Sequence, residues 1–410
     1  MRQCGVQAIS SIQRVGSALI ALLLFASAAP ALAEQTEADG YTRYELLDPA
    51  THKFRITYEI TATTPGATAY YNPIRPGSRA SDERVTDRAS GRVLQFAEVD
   101  DTAARAGGVE DAKPGERFIR VSLAHPVPPG GGARILIEKT YEDAPSYHGE
   151  AGGLIFDRPL GIKRNAVILP PGYELVACNY PSQVMQQADG RIGIAFWNTT
   201  PAQATLILHA RNTVTVPPRP SSMAANLDER AHQSRNIVYY LNPPETHRFA
   251  LTHDYTETRA GTAHYVNIVR TGSAVSNPSA RDLDSGEALR FDIVRGDAIK
   301  PLEPEATDIA ADTVAVVFRF AAVPPGGSRR LRFAETYSDA ARYFAKDGEL
   351  VWHRSLGRAD NAVVLPAGWM LTNSSVPATV RMTDDDRVRL DFINPRNDEI
   401  DTIITARHKK

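Results

Sequence analysis

Two stretches of the chain collect side chains from which a polar site could be built. Between Thr140 and Gly161 stand Thr140-Tyr141, Asp143-Ala144, Tyr147 and Arg158; between Thr336 and Gly357 the same types recur as Thr336-Tyr337, Asp339-Ala340, Tyr343 and Arg354. Arginine offers a planar fork that matches a carboxylate, and tyrosine a flat face on which a sugar or peptide can stack. Tyr147, Arg158, Tyr343 and Arg354 are therefore candidate ligand-binding residues. The same types also suit a purely structural task, an Arg-Asp pair and a tyrosine that tie a long connection onto a sheet. His52 and His247 complete the candidate set, each just ahead of an alternating strand.

Metal and catalytic chemistry find less support. His247 and His253 stand six residues apart, roughly 20 Å along an extended strand and too far to share an ion. His253 and His264 would approach each other if Ala260-Gly261 closed a hairpin, but the first half of the chain has Tyr58 and Ala69 at those positions. No metal site and no cofactor is expected. The His-Glu-x-x-His, Gly-x-Ser-x-Gly, Walker, Cys-x-x-Cys and EF-hand patterns are all missing, so no catalytic residue is assigned. Neighbouring carboxylates occur at Asp100-Asp101 and Asp384-Asp385-Asp386, the latter reading as the chemistry of a hairpin turn; acid/base catalysis needs carboxyls that converge in space.

The elements that must position these residues come in two sets. From Pro128 onward the sequence repeats at a spacing of 196: Pro128-Pro129-Gly130 returns as Pro324-Pro325-Gly326, Asn165-Ala166-Val167 as Asn361-Ala362-Val363. Before that the spacing is 195, with Thr51-His52-Lys53-Phe54 answered by Thr246-His247-Arg248-Phe249. A repeat of this length is a duplicated domain, since solenoid units run only about 20 to 50 residues. We draw the two domains at 40–212 and 236–408, with a Pro/Ser-rich linker over 213–235 centred on Pro217-Pro218-Arg219-Pro220-Ser221-Ser222.

Within each domain the apolar residues alternate. Phe54, Ile56 and Tyr58 interleave with Arg55, Thr57 and Glu59, and Val388, Leu390 and Phe392 do likewise. Turn signals such as Pro65-Gly66, Pro129-Gly130-Gly131 and Pro171-Gly172 separate the runs. The pattern predicts an all-β protein, two tandem homologous antiparallel β-sandwich domains. The Val-Pro-Pro-Gly-Gly runs read as loops that lead into strands. Short helices are expected over Ser338–Phe344 and Met223–Gln233.

Residues 1–33 combine Arg2 and Arg14, an apolar run from Ala18 to Ala29 and a small-x-small close at Ala31-Leu32-Ala33, the form of a secretory signal peptide. The apolar run is shorter than the roughly 20 residues that span a bilayer, so the protein is not expected to cross a membrane. A periplasmic or secreted location follows. Without that segment the chain has 44 basic and 48 acidic residues with the signs interspersed, which argues against a nucleic-acid partner. Only Cys178 would remain; Ser374 holds its place in the second half, so a required thiol is not expected.

Asp48-Pro49-Ala50-Thr51-His52-Lys53-Phe54 and Asn242-Pro243-Pro244-Glu245-Thr246-His247-Arg248-Phe249 resemble the opening strand of the non-catalytic N-terminal β-domain of glycyl aminopeptidases and, more loosely, of the aminopeptidase N family of zinc enzymes. The resemblance spans about the first 60 residues of each half and implies an accessory β-sandwich module. The family's zinc-binding His-Glu-x-x-His pair is absent, so no peptidase activity carries over. The Leu-Pro-x-Gly-Tyr/Trp segments also look like an uncharacterised family of exported bacterial proteins.

Three readings of function follow. The first is an exported module that binds a glycan, an envelope polymer or a protein partner, with avidity from two similar units. The second is a polysaccharide-active hydrolase or lyase with its site in the groove between domains. The third is a non-catalytic scaffold or accessory module of a peptidase-like system.

Overall fold

Strand Lys53–Ala62 shows how the alternation works. Phe54, Ile56, Tyr58 and Ile60 turn into the core while Arg55, Thr57 and Glu59 face away from it. The strand pairs antiparallel with Glu37–Leu46 on one side and Ala133–Glu142 on the other, the latter over ten residues from Lys53↔Glu142 to Ala62↔Ala133. In this computed structural model, residues 37–200, 202–213, 228–307 and 309–409 are described, and they belong to one compact unit.

The first half holds a seven-stranded sheet in the order Gln183–Gln186, Ile192–Trp197, Arg164–Ile168, Glu37–Leu46, Lys53–Ala62, Ala133–Glu142, Arg79–Asp87. Its one parallel pairing joins Glu37–Leu46 to Arg164–Ile168. A four-stranded sheet of Tyr173–Cys178, Ala204–Asn212, Gly153–Leu160 and Tyr147–Glu150 contributes to the same core, and a three-stranded sheet carries Ala69–Ile74, Arg117–Ser122 and Phe96–Asp100. Phe54 and Phe156 meet edge to face at 5.7 Å in the middle of this sandwich, with Tyr44 and Tyr147 around them.

In the second half the strand order corresponds strand for strand. Thr379–Met382, Val388–Ile393, Asp360–Val364, Asn236–Leu241, Arg248–Glu257, Arg329–Ser338 and Ala274–Asp282 lie side by side, and the three further strands join the same sheet through Ala280↔Leu289 and Arg281↔Ala288. The first half has only the isolated bridge Thr86↔Val93 at that junction, which leaves its three strands a separate sheet. Tyr343–Lys346, Glu349–Leu356, Ile400–His408 and Trp369–Ser374 form the covering sheet. The protein is all-β, built of antiparallel sandwich sheets as the alternation predicts.

Three local expectations are corrected. Ser338–Phe344 is not helical: the strand runs through Ser338, Asp339 closes a turn onto Arg342 and Tyr343, and a new strand begins at Tyr343. In Met223–Gln233 the described part, 228–233, contains a turn and no helix, and 223–227 lie outside the described residues. Ala260-Gly261 does not close a hairpin, because Arg248–Glu257 pairs with Arg329–Ser338 while His264–Ile268 pairs with Val314–Arg319. Conversely, Asp101–Ala106 forms a short helix that the strand pattern hides. Asp100 caps it by accepting from the Ala103 N–H at 2.8 Å, and Asp101 pairs with Arg105 one turn on.

Candidate functional site

The six sequence candidates lie in two equivalent places inside the sandwiches. His52 and His247 each end a single 3-10 turn, Pro49–Thr51 or Pro244–Thr246, with φ of 56° and 54°. A left-handed backbone is unfavourable for a side chain with a Cβ. Here the ring offsets that cost: Nδ1 of His52 lies 3.0 Å from the Tyr147 carbonyl oxygen, and Nδ1 of His247 lies 2.8 Å from that of Tyr343. The tyrosine hydroxyls donate back to the Leu47 and Asn242 carbonyls, so each Tyr-His pair knots two connections together.

Arg158 donates to Asp143 Oδ2 at 2.6 Å, and its guanidinium lies over the rings of Phe54, Tyr44 and Tyr141 at 5.4 to 5.7 Å. Burial disfavours the Asp143 carboxylate, but its hydrogen bond from Ser146 and the charges of Arg158 and Arg75 outweigh that and hold it below the ordinary aspartate range. Arg354 stands 3.5 Å from Asp339 and lies over Phe249. Tyr147 and Tyr343 are fully buried, and Arg158 and Arg354 are 7% and 8% exposed. These side chains point into the sandwich, where a stacked guanidinium stands in for apolar packing.

His253 and His264 are engaged separately. His253 is buried among Tyr255, Tyr265 and Phe333, and burial with the charge of Arg235 holds it well below the ordinary histidine range. His264 Nε2 lies 3.2 Å from the Leu302 carbonyl. Among the described residues no group of three or more His, Cys, Asp or Glu is arranged to hold a metal ion.

A different site emerges where the halves meet. The end of Lys53–Ala62 at Glu59 to Thr61 and the start of Ala133–Glu142 at Arg134 and Ile135 meet Thr256 and Arg330 of the second half around a cavity of about 140 Å³. Equivalent positions supply its walls from both sides: Arg134 and Arg330, Thr61 and Thr256. Arg88 and Arg164 add two more guanidinium groups, Thr258 and Ser234 further hydroxyls, and Glu59 and His232 complete the polar lining.

Each charged group has a defined partner. Arg134 grips Asp284 with two parallel bonds of 2.5 and 2.7 Å and also donates to the Ser328 hydroxyl at 3.0 Å. Arg330 donates to the Ser234 hydroxyl at 2.7 Å and to Thr256 at 3.1 Å. Arg164 donates to the Ala231 and His232 carbonyls and lies over the Tyr41 ring. Glu59 accepts from His232 at 3.1 Å, with Arg88 3.7 Å away. Burial opposes the Glu59 carboxylate, but the His232 hydrogen bond and charge, with Arg88 and Arg164, prevail and hold it at about 2.

The two halves close on each other reciprocally. The Gly132 N–H donates to the Leu283 carbonyl at 2.7 Å, and the Ser328 hydroxyl donates to the Arg88 carbonyl at 2.8 Å. The Pro-Pro-Gly-Gly loops make this contact possible. A Cβ on Gly131 would stand 2.6 Å from the Leu283 oxygen and one on Gly327 2.4 Å from the Ala89 oxygen, closer than any real side chain lies. Segment 228–234 lies against both halves: Arg43 pairs with Glu229, while Arg230 donates to the Asn394 and Gly357 carbonyls.

Sequence reasoning passed over Arg134, Arg330, Thr61 and Thr256 because an outward-facing polar residue on a strand looks like a solvated face. The available signal was their recurrence at the repeat spacing, arginine with arginine and threonine with threonine. The fold and site together define an all-β sandwich protein with an arginine-lined cavity between its halves.

No protein-family model matches the chain, and no curated protein matches it. Among solved structures it is similar to a two-domain M1 zinc metallopeptidase, a mutant bound to L-tryptophan, at 13% identity and a TM-score of 0.29 over 42% of this chain and 41% of that one. An aminopeptidase N family protein from Idiomarina loihiensis matches at 8% identity and a TM-score of 0.26, over 42% of this chain and 29% of that one. A putative protease from Parabacteroides distasonis matches at 11% identity and a TM-score of 0.25, over 92% and 94% of the two chains. The chain thus spans well under two thirds of the length of the first two structures, and the likeness to M1 aminopeptidase structures is weak.

Proposed function

We propose that this chain is an exported binding protein, two copies of one β-sandwich unit, and that its ligand presents a carboxylate or phosphate to the cavity between them. One observation carries the reading: four arginines and four hydroxyl side chains converge on a single cavity in which, among the described residues, Glu59 is the one carboxylate of the lining. Guanidinium groups already held by neighbouring carbonyls, carboxylates and hydroxyls lose little further freedom when an anion arrives. An acidic sugar or the acidic end of an envelope polymer meets both the charge and the hydroxyl content. The repeated strand order supports common descent of the halves, and the Arg-bearing, Ala-x-Ala-closed segment at 1–33 supports export.

The test is titration calorimetry of residues 34–410 with galacturonate, glucuronate and inorganic phosphate. Binding should weaken about tenfold in Arg88→Ala and fall with rising salt. If all three anions fail to bind, or bind equally well to Arg88→Ala, the cavity is not an anion site.

A second reading, a lyase acting on an acidic polysaccharide, draws on the His232–Glu59 pair inside the same cavity, a base and its orienter beside charge-neutralising arginines. Release of an unsaturated sugar from polygalacturonate, lost in His232→Ala, would favour it over binding alone.

A further inference from the structure

The second half carries a strand edge that the rest of the described chain leaves open. Ala288–Arg295 pairs on one side with Val314–Arg319, from Arg290↔Arg319 to Arg295↔Val314. On the other side it meets Ala274–Asp282 only through Ala280↔Leu289 and Arg281↔Ala288. Beyond Leu289 those two strands part, and among the described residues no strand pairs with the outer edge of Arg290–Arg295. Phe291 is 40% exposed and Ile293 51%. Side chains alternate along a strand, so Phe291, Ile293 and Arg295 share one face. An open, apolar edge of this kind is a template for another strand.

The first half shows the same edge protected. Its equivalent strand is Phe96–Asp100, where Phe96 is exposed as Phe291 is, but Glu98 stands in place of Ile293 and Asp100 in place of Arg295. Charged side chains on an edge oppose pairing. Here Glu98 is held by Arg117, and Asp100 caps the helix that ends the strand. The second half has neither carboxylate at these positions.

We propose that the edge Arg290–Arg295 joins two copies of this chain, paired antiparallel about a two-fold axis at Ile293. Facing residues of an antiparallel pair share a face, so a strand that pairs with itself centres on a residue. The surroundings choose which one. A centre at Phe291 would need the outer edge of Leu289, which Ala280 already occupies. A centre at Asp292 would set two carboxylates face to face, and one at Val294 would run past Arg295, where the strand ends. Centred on Ile293, isoleucine faces isoleucine, Asp292 faces Val294, and Phe291 faces Arg295 of the second copy, a guanidinium beside an aromatic ring. The same register in the first half would oppose Glu98 to Glu98. Five paired residues a side are far fewer than the roughly 20–30 of a stable interface, so the association is weak and depends on concentration. This inference is independent of what the arginine-lined cavity binds.

Sedimentation equilibrium of residues 34–410, from micromolar to millimolar protein, should show a monomer–dimer equilibrium. Ile293→Glu gives this edge the charge of its first-half counterpart and should weaken the dimer about tenfold or more. Its melting temperature should stay that of wild type, because the side chain is exposed. The register has its own readout. In a Cys178→Ser background, Ile293→Cys should form a covalent dimer under mild oxidation much faster than Asp292→Cys. The proposal is overturned if Ile293→Glu dimerises as well as wild type, or if Ile293→Cys cross-links no faster than Asp292→Cys. It is equally overturned if the protein stays monomeric throughout, which would leave the edge to a strand of another protein.

Discussion

Lys139 and Glu335 occupy the same buried position in the two halves and carry opposite charges there. Lys139 sits opposite Ile56 and donates to Asn72; Glu335 sits opposite Leu251 and accepts from Asn267, the equivalent asparagine. One amide serves both because it has an acceptor oxygen and a donor nitrogen. Burial works against each charge. It pushes Lys139 down to about 7, with Arg158 in the same direction and Glu83 opposing, and it pushes Glu335 up to about 7 against the hydrogen bonds of Tyr337 and Asn267.

Stability should therefore depend on pH in opposite senses at the two positions. Glu335 has a folded value raised above its ordinary 4.5, so its contribution is complete below pH 4.5 and is lost as pH rises through about 7. Glu335→Gln should remove that loss and be the more stable protein above pH 7, by up to about 3 kcal/mol. Urea midpoints from pH 5 to 8 check this; a wild-type advantage at pH 8 would refute it.

Lys139 is depressed from 10.5 to about 7, so its contribution is complete above 10.5 and is lost as pH falls through about 7. Lys139→Met should gain on wild type as pH falls from 10 to 7, with the gain levelling off below. The same midpoints, extended to pH 10, decide it.

The Arg134–Asp284 pair should hold the halves together. Removing one partner of a buried pair leaves an uncompensated charge, so Asp284→Ala should cost about 3–5 kcal/mol, whereas Arg134→Leu with Asp284→Leu should cost much less than the two single changes combined. Chemical denaturation of the three variants tests this. Additive losses would mean the two residues act independently.

Glu59→Gln should tighten anion binding several-fold by removing the carboxylate of the cavity, at a cost in stability. Glu59 is held at about 2, so its stabilising contribution is present above its ordinary 4.5 and disappears as pH falls through about 2. The stability gap between wild type and variant should be open at pH 6 and narrow below pH 4.5. Calorimetry with galacturonate and melting curves at both pH values give the two readouts.

Tyr147→Phe and Tyr343→Phe should each cost about 1 kcal/mol of stability, the worth of one hydrogen bond to a carbonyl, and leave anion affinity unchanged. A loss of affinity without a loss of stability would instead return these tyrosines to a binding role.

The strands and their inward faces are legible along the chain, because a period of two is written locally: Phe54, Ile56, Tyr58 and Ile60 point inward wherever the sheet ends up. The matching of residue types between the two halves was legible for the same reason, as a linear correspondence. Hidden from the sequence was everything that depends on which surface meets which. His52 and Tyr147, or Arg158 and Phe54, touch only after distant strands have paired. Arg134 and Thr61 look solvated until the second half covers them, and Gly131 and Gly327 look like ordinary turn residues until a foreign backbone lies against each. Tertiary structure decided those matters, because burial and partner choice are properties of two surfaces together and cannot be read from either strand alone.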